Sequence, residues 1–138
     1  MVIVPAYAGI LGLIFIFLTI RTVRLRRLKR VGIGDGGDVQ LHRASRVHSN
    51  FSEYVPLALL LFSFVEFSAA PLIFVHLLCL TLLIGRVVHA YGVSQVKENF
   101  KYRVFGMVLT LSSLGTAAIF LIYSKMLLSI IGVGVPAG

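Results

Sequence analysis

The chain has 138 residues, of which 58% are hydrophobic, and its formal net charge is +8. Its mean hydropathy is +0.97, and a soluble domain of this size cannot bury so much apolar surface. Composition therefore argues against an ordinary soluble enzyme, and the length accommodates a single domain over residues 1–138. We expect an integral membrane protein.

Four apolar segments follow one another along the chain. They cover about residues 2–20, 51–68, 72–92 and 104–131, and each comes close to or exceeds the about 20 residues that a helix needs to cross a bilayer. Lipid offers no hydrogen-bond partners, so a spanning segment satisfies its backbone internally, as a helix does. The predicted fold class is all-α, a four-transmembrane-helix, up-down bundle.

The Lys and Arg residues are unevenly distributed over the connections. Of the thirteen, eight lie in the first connection, residues 21–48, and three lie in the third connection at Lys97, Lys101 and Arg103. The positive-inside rule then places connections one and three in the cytoplasm and both termini outside. We expect the basic run to contact anionic membrane lipids. Nucleic acid is not an expected partner, because aromatic side chains do not interleave with the run.

A polar run leads directly into the second apolar segment. If its helix starts upstream of Arg43, then Arg43, Arg46, Asn50 and Glu53 fall at i, i+3, i+7 and i+10, on one face. Two guanidiniums, an amide and a carboxylate on one stripe suit an anionic, peptide-like ligand.

The second and third segments predict a tight helical hairpin. A turn near residues 69–71 places Glu53 level with Arg86, and Asn50 level with His89. A charge inside a membrane span is costly unless it is paired, so we expect a Glu53–Arg86 ion pair, with Arg103 entering at the same depth. The alternative is a purely structural clamp whose arginines reach out to lipid phosphates.

Other polar residues have local interpretations. Glu66 and His76 are expected to form a hydrogen bond near the outer end of the bundle, and Cys79 is expected to be an inert packing residue. Residues 32–37 are glycine-rich but lack phosphate-loop spacing, which favours a flexible linker. No cluster of His, Cys and carboxylate has metal-ligand spacing, so no metal site is predicted.

The motifs together resemble the MAPEG family, membrane-associated proteins in eicosanoid and glutathione metabolism. The family includes microsomal glutathione transferases and the glutathione-dependent leukotriene and prostaglandin E synthases. The resemblance covers nearly the whole chain, and the start of the fourth segment is similar to the small bacterial branch. The motifs that carry it are Arg43-x-x-Arg46-x-His48-x-Asn50-x-x-Glu53-x-x-Pro56, Gly85-Arg86-x-x-His89 and Arg103-Val-Phe-Gly-Met107.

The resemblance implies a homotrimer in a bacterial inner membrane that binds glutathione between subunits near the cytoplasmic face. It also implies a role for Arg103 as the catalytic, thiolate-stabilising residue. Ser49, Val93 and Met107 stand where the eicosanoid enzymes carry Arg, Tyr and Tyr, so an eicosanoid substrate is not implied. The implied glutathione-binding residues are Arg43, Arg46, Asn50, Glu53, Arg86 and His89.

Two functions follow as hypotheses. The first is a glutathione-dependent membrane transferase or peroxidase, with glutathione as co-substrate, acting on lipophilic electrophiles or lipid hydroperoxides. The second is a non-catalytic membrane binding or scaffold protein of the same fold.

Overall fold

The computed structural model describes residues 2–97 and 99–131, and these form four helices in an antiparallel series. They are α1 (Ile3–Lys29), α2 (Val39–Phe67), α3 (Leu72–Ser94) and α4 (Phe100–Ile131). No strand occurs among the described residues. Both chain ends, whose side of the membrane the charge pattern predicts, lie outside the described residues.

All four helices are long and apolar enough to cross a membrane. Large apolar side chains point outward along them; Leu13, Phe17 and Ile119 are 69%, 65% and 70% exposed. Water would penalise such a surface, whereas lipid tails accommodate it. The predicted all-α bundle with four apolar helices is confirmed.

The helices on either side of the first connection extend into its basic sequence. Helix α1 continues past residue 20 to Lys29, and Arg30 ends it in the left-handed conformation, with φ of 55°. Helix α2 begins at Val39, because the Asp38 side chain accepts a hydrogen bond from the Leu41 N–H at 2.9 Å. The non-helical part of the connection is therefore residues 30–38, shorter than residues 21–48.

Glu66, near the end of α2, contacts α1 at the end of the bundle where α1 begins. Its carboxylate accepts hydrogen bonds from the backbone N–H groups of Ile3 at 2.8 Å and Val4 at 3.1 Å, in the first turn of α1. Those N–H groups have no partner within their own helix, and the helix dipole favours an anion there. His76 instead lies 3.4 Å from the Tyr7 hydroxyl. The predicted Glu66–His76 hydrogen bond is therefore wrong.

Helices α3 and α4 touch through their backbones. A Cβ atom added at Gly106 would lie 2.6 Å from the His89 backbone nitrogen and 2.7 Å from the Gly85 carbonyl oxygen. A Cβ atom at Gly92 would lie 2.9 Å from the Arg103 nitrogen. Only glycine permits such close approach, so these positions fix the spacing of α3 and α4 at the end of the bundle where α4 begins.

The α3–α4 contact yields a prediction for Gly106→Ala. The added methyl group meets backbone atoms that cannot rotate away, so we expect a loss of about 1–3 kcal/mol of stability, measured by thermal unfolding in detergent. Gly115→Ala is the matched control on the same helix, because nothing lies within 4 Å of its added Cβ. Equal stability of the two variants would show that the contact does not constrain the bundle.

Candidate functional site

A cavity of about 430 Å³ opens at the end of the bundle where α2 begins, α3 ends and α4 begins. Its volume lies within the range of small-molecule sites, about 300–1,000 Å³. The first connection closes one side of it, and the three helices form the rest. The lining residues are Asp35, Gly37, Asp38, Val39, His42, Arg43, Arg46, Asn50, His89, Val93 and Arg103.

One wall of the cavity is a face of α2. Val39, His42, Arg43, Arg46 and Asn50 all line it, at the i, i+3, i+4, i+7 and i+11 spacing of a single helix face. This face exists because α2 begins at Val39, upstream of Arg43. At 1.5 Å per residue the wall is about 16 Å long, so it presents two guanidiniums and an amide to an elongated ligand.

Arg43 joins the α2 wall to the end of α3. Its Nη1 donates to the Val93 carbonyl oxygen at 3.1 Å. Val93 belongs to the last turn of α3, whose carbonyl groups lack partners within the helix and carry the negative end of its dipole. The guanidinium is thereby placed where α2 and α3 meet the cavity.

Arg86 lies behind this wall and does not line the cavity. Its side chain is 1% exposed, its Nη2 donates to Asn50 Oδ1 at 2.9 Å, and its guanidinium carbon lies 5.7 Å from the Tyr54 ring centroid. Glu53 is exposed, and the predicted Glu53–Arg86 ion pair does not occur.

The failure of that ion pair has a geometric cause. Glu53 is turned about 60° around α2 from Asn50, away from the buried face of the helix, although it keeps the angular range of His42 and Arg46 in the cavity wall. The buried face of α2 passes through Phe51 and Val55, and Glu53 lies on the opposite side of the helix from them. Asn50, one turn earlier, reaches Arg86 instead.

Arg103 enters the cavity from the first turn of α4. Its guanidinium carbon lies 5.3 Å from the Phe100 ring centroid, within cation–π range. The close approach of Gly92 to the Arg103 backbone brings this turn against the end of α3. His89, which is 4% exposed, also lines the cavity from α3.

The first connection contributes residues that the sequence interpretation missed. Asp35 accepts from the Gly37 N–H at 3.0 Å and pairs with His42 Nδ1 at 2.5 Å. The Gly37 N–H first, and then His42, hold the pKa of the Asp35 carboxyl below its usual value. Asp38 pairs with Lys29 at 2.7 Å. The segment interpreted as a flexible linker, residues 32–37, leads into a turn at residues 35–38, which is closed by a hydrogen bond from the Asp38 N–H to the Asp35 carbonyl oxygen at 3.0 Å. The N-cap signal of Asp38 was the clue that the sequence offered.

The seven predicted site residues thus separate into three groups. Arg86 is buried behind Asn50, and Glu53 lies outside the cavity on the exposed side of α2. The remaining five line the cavity together and give it guanidinium, amide and imidazole groups for anionic and peptide-like ligands. These five are Arg43, Arg46, Asn50, His89 and Arg103.

Comparison with known proteins agrees with the described architecture. Residues 4–123 match the family model described as the MAPEG family. The chain is 38% identical over 104 residues to the inner membrane protein YecN of Escherichia coli K12, covering 75% of this chain and 78% of that protein. YecN of Escherichia coli O6:H1 matches equally, and no solved structure matches significantly. The four apolar helices and these relatives support an integral inner-membrane location. The chain belongs to the MAPEG family.

Proposed function

We propose that this protein is a glutathione-dependent transferase or peroxidase of the inner membrane, acting on lipophilic electrophiles or lipid hydroperoxides. The observation that carries the proposal is the convergence of Arg43, Arg46, Asn50, His89 and Arg103 on one cavity. Membership of the MAPEG family supports it, because the family is named for glutathione metabolism. The relative's name, inner membrane protein YecN, describes a location only.

The cavity's chemistry suits glutathione as co-substrate. Glutathione is a tripeptide with two carboxylates, two peptide groups, an ammonium and a thiol. Arg43 and Arg46 lie one turn apart and can clamp carboxylate oxygens with paired N–H donors. Asn50 can hydrogen-bond a peptide group or a carboxylate, and the wall of about 16 Å gives these contacts room along α2.

Arg103 is assigned the thiolate-stabilising role. A guanidinium beside a thiol lowers the thiol's pKa and raises the fraction of reactive thiolate. When bound, glutathione would supply the sulfur nucleophile, which bonds to an electrophilic carbon as a leaving group departs or a double bond is saturated. With a hydroperoxide, the sulfur would attack the terminal oxygen, the O–O bond would break and the lipid alcohol would leave, and a second glutathione would complete the reduction by forming the disulfide and water. Arg103 is suited to this role because it reaches the cavity from a different helix than the residues that hold the carboxylates.

Orientation and assembly complete the proposal. The basic end of α1, the start of α2 and the start of α4 all lie at the end of the bundle that holds the cavity. By the positive-inside rule this end is cytoplasmic and both termini are outside. We propose a homotrimer, as the family resemblance implies, with anionic lipids against the basic end of α1.

A non-catalytic glutathione-binding or scaffold role is the second candidate. The observation that favours it is Val93, an apolar residue in the cavity wall where the eicosanoid enzymes carry a tyrosine. Turnover of a generic lipophilic electrophile by purified protein supports the enzyme, and saturable glutathione binding without turnover supports the scaffold.

Arg46→Ala tests the carboxylate clamp. A hydrogen bond to a charged group contributes about 1.5–3 kcal/mol, so we expect glutathione binding to weaken at least about tenfold, measured by calorimetry in detergent. Arg27→Ala is the control, because Arg27 is exposed at the same end of the bundle and does not line the cavity. Equal weakening by both substitutions would indicate general electrostatic attraction and not a site.

Arg103→Gln tests the thiolate role. Without the guanidinium the pKa of the bound thiol rises, so the thiolate absorbance should appear at a pH about one unit higher. At neutral pH this shift corresponds to about tenfold less thiolate. We expect turnover to fall more than binding. Lys101→Gln removes an exposed cation from the same turn of α4 and should leave the pKa of the bound thiol unchanged. An unchanged titration in Arg103→Gln would contradict the assigned role.

A further inference from the structure

Arg86 is a buried cation whose hydrogen bonding is incomplete. Only 1% of the residue is exposed, and among the described residues its Nε and Nη1 have no hydrogen-bond partner. Its Nη2 donates to Asn50 Oδ1 at 2.9 Å. A cation in a membrane helix with one neutral acceptor costs free energy, so Arg86 contributes little to stability. The role of Arg86 is therefore sought in its hydrogen bond to Asn50.

That bond determines which end of the Asn50 amide faces the cavity. A guanidinium has five N–H donors and no acceptor, whereas an amide has an oxygen acceptor at one end and an NH₂ donor at the other. The Asn50 oxygen must therefore point to Arg86. The NH₂ group points away from Arg86, and Asn50 lies in the cavity wall between Arg86 and the open space.

We infer that Arg86 is a positioning residue that holds the Asn50 amide with its NH₂ donors toward the cavity, so that Asn50 donates to a ligand oxygen. The identity of that ligand as glutathione rests on the proposed function. The acceptor is then a carboxylate or peptide carbonyl oxygen, and not an N–H group. With Arg43 and Arg46 on the same face, this wall of the cavity presents donors to an anionic ligand.

Removal of Arg86 frees the amide. The terminal torsion of asparagine is broad and roughly two-fold, so an unanchored Asn50 presents its oxygen as readily as its NH₂ group. The oxygen would repel a carboxylate. The bond also polarises the amide in a low-dielectric site and strengthens its N–H donors.

A double-mutant cycle in the full-length, detergent-purified protein tests this coupling through glutathione affinity. Arg86→Met keeps an apolar stem of similar length and removes the cation, and Asn50→Ala removes the amide. We expect Asn50→Ala to weaken binding about fivefold, the value of one hydrogen bond. Arg86→Met should weaken it at least about twofold, because half of the amide orientations no longer present the NH₂ group, and the double variant should bind no worse than Asn50→Ala. Losses that multiply in the double variant, or parent-like binding by Arg86→Met, would overturn the inference.

Asn50→Asp keeps the inference testable if Arg86→Met does not fold. The carboxylate accepts from Arg86 and neutralises the buried cation, so the unfolding temperature should hold or rise. The same side chain has no N–H to donate, so glutathione binding should fall at least about tenfold. Binding equal to that of the parent protein would show that the N–H donors of Asn50 are not used.

The orientation itself is measurable without ligand, which separates this inference from the proposed function. The side-chain amide signal of Asn50 in ¹⁵N NMR, assigned by its loss in Asn50→Ala, should be rigid in the parent protein and averaged in Arg86→Met. A signal equally rigid in both proteins would refute the positioning role. Absence of glutathione binding by the parent protein would refute the proposed function alone.

Discussion

Three glycines determine how closely α3 and α4 approach, and the cavity depends on that spacing. Gly92 and Gly106 place backbone against backbone with no room for a Cβ atom, and at Gly85 a Cβ atom would lie only 3.0 Å from the Gly106 carbonyl oxygen. Because His89 and Arg103 belong to the two segments in contact, their side chains enter the cavity at a fixed separation. A wider α3–α4 spacing would move the proposed thiolate-stabilising cation away from the α2 wall.

Two charged side chains of the bundle form hydrogen bonds with backbone groups of other helices and not with each other. Glu66 binds the free N–H groups at the start of α1, and Arg43 donates to a carbonyl group at the end of α3. The backbone groups at helix ends have no partner within their own helix, and lipid offers them none. Charged residues at the two ends of the bundle therefore stabilise helix termini as well as contribute to the site.

The sequence predicted the features that depend on composition and helical period. Four apolar segments implied four helices, and the spacing of Arg43, Arg46 and Asn50 implied one face once α2 began upstream. The spacing alone could not show that Arg86 bonds to Asn50 and not to Glu53, because the two residues differ by only about 60° around α2 and Asn50 is the nearer to the buried face. The partners of Glu66 could not be predicted for another reason. They are backbone N–H groups, which every residue except proline carries, so no sequence pattern identifies them.

The central claim is that glutathione binds along the α2 wall of this cavity. A cryo-EM reconstruction of the protein in lipid nanodiscs with saturating glutathione tests it most directly. We expect ligand density between Val39 and Asn50, with carboxylate oxygens within hydrogen-bond distance of Arg43 or Arg46 and the sulfur on the side of Arg103. Ligand density elsewhere, with no ligand along α2 at saturation, would contradict the account.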